Sequence, residues 1–418
     1  MNSELKIDFL AMLNEEENRY YSRKDNFNGN ESLKQLWAKI EQKQTELQQM
    51  LYNELDEFTR AKLKLFNVES PIVPETLVTA GNAKLPSDVL IINITSPLAC
   101  PSYHLGLCVI KDGACYAQRG HNQYDGARER GFNTDIMMTQ MLQQYKKGNK
   151  LPMKKYYNLV EMYLNVGNLV AKQTYRDSIK YLMNNGVELT DSVKETAKMI
   201  ADRYKIKVIR LNEAGDFPCQ LSVNLWFNFA KKVGKKYGIQ VNTYSARLLD
   251  FSKKPENFSI LPSREGINIG DEPYRTFMAV PDTLYNSKQG GDKVDYKTHQ
   301  PILGQEENGR YFFKCPCEKD KPQCDSCRVC FNRNETGVPY TIYVKYHGYR
   351  AANGLKNLFT QDEIKRSLKQ SIKNGWITPE ELKIANSKGT RKRLGDVSQR
   401  TLNQRQKAEE ENATDEEM

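Results

Sequence analysis

Cysteine is the residue with the most chemical potential in this chain, and eight of its nine copies fall into two tight groups about 200 residues apart. The first is Cys100-x7-Cys108-x6-Cys115, directly after a short apolar run. The second is Cys315-x-Cys317-x6-Cys324-x2-Cys327-x2-Cys330, and Cys219 stands alone. Thiolates at such intervals are ligands for soft metals and iron–sulfur clusters. In a long, charged chain without a secretory leader they suit metal binding better than disulfides, which spacing alone leaves open.

The two groups differ in count. Three thiolates hold a metal or cluster while leaving one position open for substrate, water or cofactor. The alternative for Cys100, Cys108 and Cys115 is a closed zinc knuckle, completed by His104 or His121, that only pins the loop. The second group offers five thiols in the sixteen residues from Cys315 to Cys330. Four close a site, so Cys315, Cys324, Cys327 and Cys330 are the expected ligands and Cys317 is the doubtful member. Its C-x2-C-x2-C core fits both a ferredoxin-like run and a zinc ribbon.

A third motif is Arg210-Leu211-Asn212-Glu213-Ala214-Gly215-Asp216-Phe217. It brings two carboxylates, Glu213 and Asp216, and a flexible Gly215 to the end of an apolar run. Carboxylates there accept hydrogen bonds from an ammonium or hydroxyl group; the competing reading is a turn in which Asp216 caps a helix from about Leu221. The next runs also end in polar residues, Ser245 and Arg247 after one and Ser263 after the other. The four histidines (His104, His121, His299 and His347) fall in no triad or HExxH context, so none is given a catalytic role. No P-loop or GxGxxG is present. Tyr340, Tyr343, Tyr346 and Tyr349 beside Lys345 and Arg350 are placed either to stack bases or to alternate across a strand.

These motifs must be held by strands. Val89–Ile94, Ile206–Leu211, Ile239–Tyr244, Phe258–Leu261, Ile267–Ile269, Arg275–Val280 and Tyr340–Tyr346 are short apolar runs typical of buried parallel strands. Helical stretches at Leu221–Lys236 and from about Thr134 to Tyr204 separate several of them. This alternation predicts an α/β fold, a partial TIM-like (βα) barrel whose site lies at the carboxyl ends of the strands. Around it the pattern predicts a helical arm at 1–70, the barrel-like domain at 84–350, a helical extension at 355–387 and a tail at 388–418. Leu33, Leu36, Ile40, Leu47, Leu51, Leu55 and Phe58 recur near helical spacing in the arm, which suits packing or oligomerisation. Thr360-Gln361-Asp362-Glu363 is a capping box, and Thr378-Pro379-Glu380-Glu381 opens a second helix.

Composition bounds the partners. The chain has 418 residues, 39% hydrophobic and 27% charged, and no run long enough for a membrane helix. Its amino terminus has no apolar leader, so a reducing cytoplasm is expected. The net charge of +10 is uneven: seven bases face one Asp between Lys388 and Lys407, and the last ten residues carry six acids. The tail reads as a solvated segment or as a basic arm that touches nucleic acid.

The ordered set of Cys100-Pro101-Ser102, Cys108, Cys115-Tyr116-Ala117, Arg210–Phe217, Tyr244–Arg247 and the late cysteine group resembles a phage- and mobile-element-encoded family of radical-SAM-like barrel proteins, over about residues 84–350. The resemblance implies that Cys100, Cys108 and Cys115 hold a 4Fe–4S cluster whose open iron site binds S-adenosylmethionine, in the cytoplasm of a bacterial host. It implies that Glu213, Gly215 and Asp216 contact the methionyl amino group, with Ser245, Arg247 and Ser263 lining the same mouth. It further implies an auxiliary cluster on Cys315, Cys324, Cys327 and Cys330, and cleavage of the cofactor to a carbon radical. The spacings depart from the family's usual C-x3-C-x2-C. The competing functional readings are a non-enzymatic zinc protein that contacts nucleic acid through its basic C-terminal region, and a structural protein whose cysteines staple loops.

Overall fold

The structure, a computed structural model, describes residues 31–53, 79–80, 85, 88–107, 125–263, 275–280, 282–316, 324–332, 334–345 and 360–387. The expected strand at Ile267–Ile269 and the 388–418 tail lie outside the described residues. So do Cys108, Cys115 and Cys317.

The chain is α/β, built on one five-stranded sheet and one four-stranded sheet. Helix α1 (Glu31–Asn53) is followed by β1 (Thr79–Ala80) and β2 (Val89–Ile92). A helical insertion then runs through α2 (Pro101–His104), α3 (Asp125–Lys146), α4 (Leu151–Asn184) and α5 (Asp191–Ala201). Strand β3 (Val208–Leu211), helix α6 (Gln220–Tyr237), β4 (Gln240–Ser245) and β5 (Phe258–Pro262) complete the first sheet, in the order β1-β2-β3-β4-β5. Strand β1 is antiparallel to β2, whereas β2 to β5 are parallel, with Val89 opposite Val208, Val208 opposite Gln240 and Val241 opposite Phe258. All four parallel strands therefore end on the same side, where Ser96, Asn212, Ser245 and Pro262 emerge.

The second sheet contains β6 (Arg275–Val280), β9 (Gly304–Gln305), β10 (Tyr311–Lys314) and β11 (Tyr340–Lys345), in the order β6-β11-β10-β9. Strands β6, β11 and β10 are parallel and β9 is antiparallel. Helix α7 (Asp282–Ser287), the hairpin β7 (Lys293–Asp295) and β8 (Gln300–Ile302), and the short α8 (Cys324–Cys327) fill its connections. Two helices, α9 (Gln361–Lys373) and α10 (Pro379–Ser387), close the described chain.

Period-two alternation gives the first sheet two different faces. Leu90, Ile92, Ile209, Leu211, Val241 and Ile260 point into the main core with the helices. There Trp226 of α6 meets Tyr157 edge-on at 5.3 Å, and Tyr157 stacks on Phe229 at 4.6 Å. Helix α1 belongs to this core. Its Leu33, Ile40, Leu47 and Leu51 are buried, and Gln44 donates through Nε2 to the Tyr163 hydroxyl of α4 at 2.6 Å. The opposite face carries Val89, Ile91 and Val208 against Phe331, and also Arg210, Asn242 and Tyr244.

Alternation also sorts the tyrosines of β11. Tyr340 lies inward with Ile342, while Tyr343 faces outward and donates to Glu306 at 3.0 Å; Tyr346 and Tyr349 lie outside the described residues. The capping box at Thr360 forms: Glu363 N–H donates to the Thr360 hydroxyl, and Glu363 carboxylate accepts from Thr360 N–H. Among the described residues no helix is long and apolar enough to cross a membrane.

Candidate functional site at the carboxyl end of the first sheet

Strand β2 leaves the sheet through Ile94-Thr95-Ser96 and turns at Cys100 into the single turn of α2, with Pro101 as its first residue. Cys100 is buried here, 3% exposed. The next serine, Ser102, ties this turn to the neighbouring strand: its hydroxyl donates to Asp216 Oδ2 at 2.6 Å.

Asp216 joins three strand ends. Besides Ser102, it accepts from the Ser245 hydroxyl at 2.8 Å on Oδ1 and from the Ala246 N–H at 2.9 Å on Oδ2, both at the end of β4. Phe217 N–H also donates to Oδ1, at 2.7 Å. Burial pushes this carboxyl above the usual carboxylate range, opposed by the hydrogen bonds from Ser102 and Ala246 and by the Arg247 charge. Its backbone is fixed as well, since Thr95 Oγ1 accepts from Asp216 N–H at 2.9 Å and donates to Asp216 C=O at 2.8 Å. Gly215 makes that approach possible. Its φ is +87°, and a Cβ there would collide with the Thr95 carbonyl.

Arg247 is a fully buried charge, with no exposed surface. It forms a bidentate pair with Glu381 of α10, Nε and Nη2 each at 2.8 Å. Its remaining donors reach the carbonyls of Phe217, Pro218 and Trp376. Helices α9 and α10 thereby sit on this end of the sheet, and Leu368, Ile372, Ile377 and Leu382 pack on Leu105, Leu107 and Ala246. His104 is buried in the same contact, its Nε2 3.2 Å from the Ser367 hydroxyl.

The structure thus brings together Cys100, Gly215, Asp216, Ser245 and Arg247. Ser263 adjoins them through its N–H, which donates to the Ser245 carbonyl at 2.7 Å. Glu213 is half-buried in the same turn as Asp216. The polar atoms of Asp216 and Arg247 are engaged within the protein, so these two side chains brace the mouth. Asp216 does not cap α6, whose N-cap residue is Cys219.

Three participants had no clear sequence signal. Ser96 and Asp135 pair across 39 positions, Ser96 N–H to Oδ1 at 2.7 Å and Ser96 Oγ to Oδ2 at 2.5 Å. Glu381 was legible only as the third residue of a capping motif. Burial pushes the Asp135 carboxyl up to about 7. A carboxyl whose folded value exceeds its unfolded value stabilises most below about pH 4, and that contribution is lost as pH rises through 7. Unfolding free energy should therefore fall between pH 4 and 7, and Asp135→Asn should flatten that fall in urea titrations run across the range. An unchanged slope would show that Asp135 is solvated.

The second cysteine group is held differently. Arg328 pairs with Asp88, ahead of β2, at 2.6 Å, so the run is anchored at the amino end of the sheet. From there it crosses the face of the first sheet opposite the helices. Asn242 Nδ2 donates to the Cys330 carbonyl at 2.8 Å, and Arg275 Nη1 to the Val329 carbonyl at 2.5 Å. Cys327 packs with Leu261, Val294 and Phe313; Cys324 and Cys330 pack by Val89, Ile91 and Val208. Burial holds the Tyr244 hydroxyl well above its usual range, with Cys330 and Cys324 adding to the effect. Cys315 follows β10, its N–H donating to the Tyr343 carbonyl at 2.9 Å. Among the described residues, no three His, Cys, Asp or Glu side chains form a group placed to hold a metal ion.

No protein-family model matches the chain, and neither a curated protein nor a solved structure matches it.

Proposed function

We propose that this chain is an iron–sulfur protein of radical-S-adenosylmethionine-like type, working at the carboxyl ends of β2 to β5. The observation that carries the reading is the placement of Cys100. A buried thiol stands where the first parallel strand ends, and the loop leading to Cys108 and Cys115 starts from a turn that Ser102 and Asp216 hold fixed. Ligands of open α/β sheets collect at this end.

The residues fit such a group in part. A soft thiol at a strand's carboxyl end suits a cluster ligand, and Cys100, Cys108 and Cys115 would supply three of them. Glu213 is the carboxylate assigned to the ammonium of the cofactor, and Asp216, which accepts from Ser102, Ser245, Ala246 and Phe217, holds the turn that carries it. When bound, cluster and S-adenosylmethionine supply reductive cleavage to a carbon radical. The protein's own part is to fix the cysteine turn, cover the mouth with α9 and α10 and exclude water from it. Cys315, Cys324, Cys327 and Cys330 would supply the thiols of a supporting centre, which requires them to draw closer together than they stand in the structure. In the same reading the two parallel sheets are the parts of a partial (βα) barrel; β5 runs beside β6 with no ladder between them.

The test is anaerobic purification with iron, sulfide and zinc analysis. Brown protein containing iron and sulfide, with Cys100→Ala losing about half or more of the iron, is the expected result. Colourless protein that contains zinc would overturn the reading and favour the zinc alternative.

A further inference from the structure

Two stretches of the chain carry bases and no acid. Ile136 to Val160 holds five lysines without an Asp or Glu, and Ile364 to Pro379 holds four bases without one. They are far apart in sequence, and the fold joins them. Asn374, just past α9, accepts from Gln143 Nε2 of α3 at 3.4 Å and donates through Nδ2 to the Thr139 hydroxyl at 3.5 Å. Thr139, Gln143 and Lys146 share one face of α3 by helical spacing, so the two basic groups meet at this seam.

One half of the surface is the turn between α3 and α4, where Lys146, Lys147, Lys150 and Lys154 are exposed. Its backbone is fixed. Lys147 N–H donates to the Gln143 carbonyl at 3.1 Å, Asn149 Nδ2 donates to Gln144 Oε1 at 2.8 Å, and Gly148 turns the chain at φ +90°. The other half is α9, which buries Ile364, Leu368 and Ile372. Arg366, Lys369 and Lys373 are exposed on its opposite face, a stripe about 10 Å long at 1.5 Å per residue. Among the described residues none of these seven cations pairs with a carboxylate. Lysines elsewhere are matched to acids: Lys155 to Glu46, Lys232 and Lys236 to Glu161, and Lys288 to Glu306. Unmatched like charges repel one another, and an anionic partner relieves that repulsion.

The surrounding side chains choose among anionic partners. A helix that binds a bilayer lays an apolar face into it, whereas the apolar residues of α9 are turned inward. Aromatic platforms stack unpaired bases and anchor protein interfaces, but Tyr145 at the turn is half-buried beneath Lys150, whose ammonium is 5.6 Å from the ring centre. Exposed Gln143, Asn149 and Gln370 add amides, which hydrogen-bond phosphate oxygens. We infer that α9 and the α3–α4 turn form one binding surface for the phosphate backbone of duplex DNA, engaged without regard to sequence. The inference is independent of the cluster reading and of any contact by the 388–418 tail.

The experiment measures affinity of the full chain for a short DNA duplex over a series of salt concentrations. For seven neutralised phosphates the log–log salt slope should be about −6. K146Q/K147Q/K150Q and R366Q/K369Q/K373Q should each lose about tenfold or more in affinity and about three from the slope, with the thermal midpoint kept. K232Q/K236Q, whose lysines are matched by Glu161, should bind as the parent does. Loss in only one of the two surface variants overturns the joined surface. Loss in neither overturns the inference and assigns the binding to the 388–418 tail. It is equally overturned by a parent that does not bind, by an equal loss in K232Q/K236Q, or by tighter binding to the single strand or to phosphatidylserine vesicles than to the duplex.

Discussion

Arg247→Met should destabilise the protein by about 3–5 kcal/mol, the cost of removing one member of a buried ion pair. The guanidinium has no exposed surface, and Glu381 is 3% exposed. Methionine fills much of the same volume, so the loss is not a packing loss. It comes from an uncompensated Glu381 carboxylate and from the carbonyls of Phe217, Pro218 and Trp376, which lose their donors. Urea unfolding measures the effect. The double variant R247M/E381L should regain most of the loss, because an apolar pair leaves no buried charge behind. A single variant within about 1 kcal/mol of the parent would mean that water reaches Glu381.

Asp216→Ala should cost about 3 kcal/mol and, if the proposed cluster is bound at Cys100, should also lower the iron content. Alanine leaves the Ser102 and Ser245 hydroxyls and the Ala246 N–H as buried donors, each worth about 1–3 kcal/mol when unsatisfied. Part of that is offset, because burying the Asp216 carboxylate itself opposes folding at neutral pH. The sign follows from its raised folded value: its protonated form favours folding below about pH 4, and that contribution disappears as pH rises through the folded value. The parent therefore gains stability relative to D216A on acidification. Ser102→Ala, which removes a single donor, should lose less stability and less iron. Iron content unchanged in D216A would separate Asp216 from the positioning of the cysteine turn.

The strands were legible because each is a short run rich in apolar residues, and Val89–Ile92, Val208–Leu211 and Arg275–Val280 fall inside the expected segments. Helix α6 and both C-terminal caps were legible for the same kind of reason, a local pattern with a local cause. Strand β10 was not: Tyr311–Lys314 is four residues long and ends beside the second cysteine group. At the site, the strand-end motifs pointed to Asp216, Ser245 and Arg247, but not to what they touch. Ser102 and Glu381 lie 114 and 134 positions from their partners, and no spacing rule spans such a distance. The same limit applies to the placing of α1. Its heptad-like leucines predict an amphipathic helix equally well whether it packs on another copy or, as observed, on α4.

The Arg247–Glu381 pair also sets an order of events during synthesis. The first sheet is complete once Pro262 has emerged, whereas the partner of Arg247 lies 134 residues after it. At about 5–20 residues per second, roughly 7–27 s separate Arg247 from Glu381, and about 6–24 s separate the completed sheet from Glu381. Through that interval the strand ends carry a hydrated guanidinium and no helical cover. A cluster of the proposed kind would have its widest access to Cys100 then, before the last helices arrive and cover the strand ends.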